Sequence, residues 1–352
     1  MSNFLVSSFS LSSAPRSAVF RIQDELRNAQ KEVTTGRFAD VGLTLGSRTN
    51  QTVSLRVERE SAIRIQEANT LIGQRFDTMQ TALESIAKTG ENLLASLISN
   101  GPADAGISAS VQQAKAGLQQ FMGAINAASG SRFLFSGAAT DQPALAFTKV
   151  GGGVASSYED NSTAKKAVND ALTAAAPASA ADLEAFLDGA FNDLFKVPQP
   201  SDGTGWDMWS KADSSPVVNR ISDSETLDVS YPASDEAFRN IVKAYVMISD
   251  LGAKTMDESQ RQLLTSRAVE TLSLGLSQLT EIRAEIGGKQ SRLEITNETL
   301  GTRKNVLTMS ISSFEDVDAY EASTRVTTLT NLLEASYALT ARISRLSIMN
   351  YL

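Results

Sequence analysis

The chain has 352 residues, 42% of them hydrophobic, and a formal net charge of −8; it is long enough for more than one core, and its acidity argues against a general phosphate-binding surface. Histidine and cysteine are both absent, which removes Ser-His-Asp triads, Cys-His nucleophiles, disulfides and the usual zinc ligand sets. The opening segment MSNFLVSSFSLSSAPRSAVF lacks the order of a cleavable leader and no long uninterrupted apolar run follows, so neither a signal peptide nor membrane insertion is expected, and no nucleic-acid partner.

The first helix is written in Val19, Ile22, Leu26, Ala29 and Val33, which step by three and four and place one narrow apolar stripe on one face. Gly36 stops it. Residues 37–51, with Gly42 and Gly46, read as an extended connector. A long helix is expected from there to about Ser99, because Ile65, Ile72, Met79, Ile86 and Leu93 lie seven apart with Phe76, Leu83 and Leu97 on the adjoining row. Asn100, Gly101 and Pro102 end it, since Gly suits a C-terminal cap and Pro cannot continue the ladder. A third helix over 107–128 presents Val111, Leu118, Phe121 and Ile125.

Residues 138–233 change character, with Gly151-Gly152-Gly153, Pro198, Pro200 and both tryptophans, Trp206 and Trp209. LDVSY at 227–231 alternates like a strand, and AADLEAFLDGAFNDLF at 180–195 reads as one amphipathic helix. A return helix follows with Phe238, Ile241, Tyr245 and Ile248.

In the C-terminal third, Leu272, Leu279, Ile286, Leu293, Leu300, Leu307 and Phe314 hold one heptad position. The partner row is mixed, setting Leu276, Ile282, Ile311 and Val317 beside Gln290, Asn297 and Lys304, which fits a multi-helix bundle better than an isolated zipper. After Phe314 the register breaks, and Ser312-Ser313-Phe314-Glu315 carries the S-x-x-E pattern of a capping box, so a restart is expected there. A last stripe of Leu329, Leu332, Leu339, Ile343, Leu346 and Met349 runs on toward Leu352. The order short helix, connector, long helix at the front is mirrored at the back. The expected fold is therefore mainly α: a long antiparallel helical rod made from both chain ends, with a central mixed α/β insertion. The corresponding division is 1–50 with 315–352 as terminal assembly segments, 51–137 with 234–314 as the long-helix rod, and 138–233 as an outward-facing insertion.

Candidate chemistry is thin. Ser162-Thr163-Ala164-Lys165 matches S-x-x-K, but no S-D-N or K-T-G follows. Gly287-Gly288-Lys289 lies inside the heptad helix without phosphate-loop spacing and reads as a helix irregularity. Glu315, Asp316, Asp318 and Glu321 cluster four carboxylates without the EF-hand glycine, at a helix start that favours acids through its dipole. No catalytic, cofactor or metal residue is assigned. The terminal stripes differ, because beyond their connectors they can be covered only by each other or by another subunit. Val19, Ile22, Leu26, Ala29, Val33, Leu329, Leu332, Leu339, Ile343, Leu346, Met349 and Leu352 are accordingly the expected assembly interface.

VTTGRFADVGLTLGSRT at 33–49, GSRFLFSGAATDQPAL at 130–145 and EDVDAYEASTRVTTLTNLLEASYALTARISRLSIMNYL at 315–352 resemble the flagellin superfamily. Within it they look most like the hook-associated proteins of the hook-filament junction, because the ending resembles S-L-x-N-Y-L and the connector lacks the paired aspartates usual in filament flagellins. The resemblance implies a coiled-coil layer made of both termini and an extracellular place in the bacterial flagellum, with no enzymatic activity and no cofactor. It also implies, as partners, hook-associated protein 1, flagellin, further copies of the chain in a ring, an export chaperone and the flagellar type III export apparatus. The alternative within the superfamily is a filament flagellin, major or minor.

Overall fold

A computed structural model describes the backbone of residues 8–101, 104–198 and 201–345, and the side chains of 16–101, 106–198 and 201–342. The chain divides into two compact units: unit 1 combines Met1–Arg64 with Leu300–Leu352, and unit 2 is Ile65–Thr299. Helices α3 (Thr49–Asn100) and α9 (Glu258–Glu315) contribute to both.

In unit 2, α3 and α9 run antiparallel, as the cross-links Gln66 Nε2 to the Asn297 carbonyl (3.3 Å) and Gln80 Nε2 to the Arg283 carbonyl (2.8 Å) show. The heptad residues Ile72, Met79, Ile86 and Leu93 of α3 and Leu272, Leu279, Ile286 and Leu293 of α9 are all buried. Asn297, from the mixed row, accepts a 2.9 Å bond from the buried Asn69, whose Nδ2 also reaches the Ile221 carbonyl. A polar pair at such a position favours one register over its slipped alternatives. Helices α4 (Asp104–Ile125) and α8 (Glu236–Asp250) complete the core, and α8 is buried at ten positions. A Cβ on Gly275 would stand 3.2 Å from the Ala237 carbonyl of α8, so glycine is what lets α8 lie against α9.

The middle of unit 2 holds three two-stranded antiparallel hairpins: β1 (Ala128–Ser129) with β2 (Arg132–Phe133), β3 (Phe147–Thr148) with β4 (Val154–Ala155), and β5 (Val218–Arg220) with β6 (Thr226–Asp228). Three helices lie among them, α5 (Thr163–Ala175), α6 (Ala180–Asp188) and α7 (Ala190–Asp193). Both tryptophans sit in an aromatic stack: Trp209 lies 5.0 Å from Tyr158 and 5.1 Å from Phe195, and Trp206 lies 6.1 Å from Trp209. The GSRFLFSG segment buries Leu134 and Phe135, and Gly137 at φ +60° passes so close to the Asp213 carbonyl that a Cβ there would stand 1.6 Å from it.

Unit 1 contains α1 (Ser8–Thr35), α2 (Val41–Leu45), a 3₁₀ turn (Gly46–Arg48), its shares of α3 and α9, and α10 (Ala319–Arg345). The expectation of a mainly helical chain with long antiparallel helices from both ends and a small β-containing middle holds. Several local expectations do not. Residues 37–51 are not extended, because Asp40 caps α2 by accepting from the Leu43 amide at 2.9 Å. The third helix ends at Ile125, where Asn126 turns to bond both the amide and the carbonyl of Leu145. Residues 180–195 break into two helices at Gly189. Strand β6 covers only the start of LDVSY. Gly287 and Gly288 lie in unbroken helix with open space around them. The S-x-x-E pattern is not a cap either: α9 continues through Glu315, and Asp318 caps α10 through the amides of Tyr320 and Glu321.

Candidate assembly interface

Helices α1 and α10 of unit 1 pair antiparallel through a thin seam. Val19, Ile22 and Leu26 are half-buried and Ala29 is buried on α1. On α10 the inward row is Ala322, Val326, Leu329, Leu333, Ser336 and Thr340, in steps of three and four. Half of that row is small or polar, so the pair encloses little apolar area. Two polar links fix its register: Gln23 Nε2 donates to the Tyr337 hydroxyl at 2.7 Å, and Arg325 pairs with Glu32 at 3.0 Å.

Below the pair the two connectors are tied together. Gly36 at φ +70° ends α1 by donating to the Glu32 carbonyl at 2.8 Å, the left-handed cap that glycine adopts without steric cost. Its own carbonyl accepts from the Val317 amide at 3.0 Å, and the Phe38 amide donates to the Glu315 carbonyl at 3.0 Å. The Glu315 side chain is fully buried, with Arg56 at 2.5 Å and Arg37 at 3.8 Å. That carboxylate, first through the hydrogen bond and then through its charge, holds the Arg56 guanidinium above its ordinary value. Glu32 accepts from the Ala39 amide at 3.1 Å on its other oxygen. The sequence carried no local signal for this knot, because Arg56 and Glu315 are 259 positions apart.

The expected interface residues fall into three groups. Val19, Ile22, Leu26, Ala29 and Leu329 meet in the seam between α1 and α10. Val33, Leu332 and Leu339 are exposed, at 43%, 48% and 55%, and the last two lie seven apart along one flank of α10. Leu346, Met349 and Leu352, and the side chain of Ile343, lie outside the described residues. The exposed residues are part of a wider pattern. Of the eighteen exposed large hydrophobic residues among those described, eleven belong to unit 1, although it is the smaller unit. The continuous core cluster, from Ile72 to Leu293, lies wholly in unit 2.

The other candidate sites resolve into structure. Ser162 is buried and caps α5: its hydroxyl accepts from the Lys165 amide at 3.1 Å and donates to the Tyr158 carbonyl at 2.7 Å. Lys165 pairs with Glu159. Glu315 and Asp316 are engaged by arginines and by Ser312, Asp318 by the α10 amides, and no metal-holding carboxylate group occurs among the described residues. Among them, too, no helix is long and apolar enough to cross a membrane.

No curated protein matches the chain significantly. A solved structure assigned as a flagellar hook-associated protein from Vibrio parahaemolyticus shares the fold, with a TM-score of 0.52 at 12% identity, covering 76% of this chain and 97% of that one. Residues 6–140 match the bacterial flagellin N-terminal helical region, and residues 269–352 match the bacterial flagellin C-terminal helical region. Those two regions take in most of α1, α3, α4, α9 and α10, more than half of the sequence, and the chain belongs to the flagellin family: it is a structural component of the bacterial flagellum and not an enzyme.

Proposed function

We propose that this chain is a hook-associated subunit of the hook-filament junction, like hook-associated protein 3, lying between hook-associated protein 1 and the first flagellin. It reaches that place through the flagellar type III export apparatus with a dedicated chaperone, and stands there as a ring of copies. The observation that supports the reading is the concentration of exposed apolar side chains in unit 1, whose described residues contribute nothing to the continuous core cluster. A helix pair with so thin a seam buries too little area to offset its chain entropy alone. Neighbouring subunits supply the missing cover, so the terminal helices order as the subunit is incorporated. Amide exchange checks this step. Residues 16–33 and 325–342 exchange fast in the free subunit and slowly in the assembly; equal protection in both states overturns it.

The family regions matched are those of flagellin itself, which keeps a filament subunit as the second reading. Deleting the gene and labelling the protein with immunogold separates the two. A junction protein gives intact hooks, flagellin shed into the medium, and a single band of label at the hook boundary. Label along the whole filament, or normal filaments in the deletion strain, favours the filament reading.

A further inference from the structure

The glycine pair of α9 has no role in packing within the chain. Gly287 and Gly288 sit near the midpoint of this 58-residue helix, and a Cβ built on either meets nothing within 4 Å. Three other helical glycines of unit 2 are needed for close approach: a Cβ on Gly90, Gly117 or Gly275 would stand 2.8, 2.5 or 2.8 Å from Leu276, Tyr245 or Ile241. Glycine in a helix interior is less favourable than alanine because it gives up more backbone freedom on folding. The pair therefore weakens α9 at a place where alanine would fit, and sharp helix bends concentrate at such positions.

The surroundings of α9 change at the same place. Before the pair it lies against α8: Gly275 faces Ala237 and Ile241, and Asn240 Nδ2 donates to Gln278 Oε1 at 2.9 Å. Because α8 starts at Glu236 and runs antiparallel to it, α9 leaves that cover within about two turns of Gln278. After the pair, α9 meets the β5–β6 hairpin instead, through Arg292 with Glu225 and through Asn297 with Asn69, which also holds the Ile221 carbonyl. At the pair itself the ties are long side chains. Gln290 Nε2 reaches Asp77 Oδ1 at 2.7 Å, and Lys289 pairs with Glu285 at 2.9 Å and lies 4.5 Å over the Tyr231 ring. Such ties follow a bending backbone, whereas the close-packed stretches on either side move as blocks.

We propose that Gly287-Gly288 is a hinge at which α9 bends when the subunit is seated among its neighbours. The bending belongs to the single chain; its use rests on the reading of the chain as an assembling subunit.

The chain has no cysteine, so spin labels placed through Ser277→Cys and Glu298→Cys, both exposed on α9, are unique. A straight helix sets the two positions about 32 Å apart. Pulsed dipolar spectroscopy of the full chain gives a broad distance distribution that extends below that value. With Gly287→Ala and Gly288→Ala together, it narrows to the straight-helix distance and the thermal midpoint rises by a few degrees. Gly123→Ala on α4, whose Cβ also meets open space, raises the midpoint and leaves the distribution unchanged. Equal widths in wild type and the double alanine variant overturn the hinge, as does narrowing by Gly123→Ala, which marks general stiffening. In a deletion strain the double alanine variant restores attached filaments less well than wild type does. Full restoration overturns the use in assembly. A wild-type chain absent from flagella refutes the assembly reading instead and leaves the distances standing.

Discussion

Units 1 and 2 are built from the same two long helices, yet they use heptad periodicity to different ends. In unit 2 the stripes of α3 and α9 meet α4 and α8, and Phe76, Leu83, Phe121, Tyr245 and Leu279 are closed off from water. In unit 1 Leu300, Leu307 and Ile311 stay buried on α9, but Val306 and Met309 one step around the helix are open, as are Val53 and Val57 on α3. Periodicity specifies which residues share a face. Whether that face becomes core depends on a third layer to cover it, and the described residues of unit 1 supply none.

The largest expected break in this comparison comes from matched truncations. Leu279→Ala removes a fully buried side chain from unit 2, and denaturant melts should show a loss of about 3 to 4 kcal/mol. Leu339→Ala at an exposed position of unit 1 should leave the monomer within about 0.5 kcal/mol of wild type. A comparable loss for both would remove the distinction between the units. A smaller effect is expected inside unit 1: Glu315→Gln takes the charge from the knot that joins the connectors, costing about 1 to 2 kcal/mol of local stability. Amide exchange at Phe38 and Val317 should quicken while the amides of α8 keep their protection.

The smallest effect sharpens the account of unit 2 through pH. Asp250 at the end of α8 is held above the ordinary carboxylate range by burial first, with Glu159 adding to it, while the Ser249 hydroxyl and the charges of Lys165 and Lys115 oppose the shift; the Tyr158 hydroxyl lies in the same cluster. A carboxyl raised in the folded state contributes stability that is complete below its unfolded value and is lost as pH climbs through the folded value. Asp250→Asn should therefore flatten the pH dependence of the thermal midpoint on the acid side of neutrality, with a midpoint at neutral pH no lower than wild type. A drop at neutral pH would mean that the 3.8 Å contact with Lys165 outweighs the cost of burying the charge.

Much of the helical frame was legible because Leu272 to Leu307 and Ile72 to Leu93 repeat at one spacing over many turns, and such a pattern survives any local exception. Termini and connectors were not. Ser312 offered a side chain at the spacing of a cap, but the helical ladder ran on past it and Asp318 took the role. The connector 37–51 carried two glycines, yet Asp40 found an amide three residues on and wound a turn of helix. The middle hairpins rest on pairings between short strands: the alternation of LDVSY marked a strand near Leu227, but nothing in the sequence announced Asn219 as its partner. Of the interface, the stripe on α1 was legible and so was the flank of α10. The division between seam and exposed flank was not, since Leu329 and Leu332 differ only by a rotation about the helix axis, and the partner helix decides which is covered.

The aromatic stack has a practical corollary. Trp206 and Trp209 are the only indoles in the chain, and both lie in unit 2 against Tyr158 and Phe195. Their emission is a spectroscopic beacon for that unit alone. Winding and unwinding of α1 and α10 leave it dark to the observer, while far-ultraviolet dichroism sees every turn. A titration followed by both signals reads the two units on separate channels, from the unmodified protein.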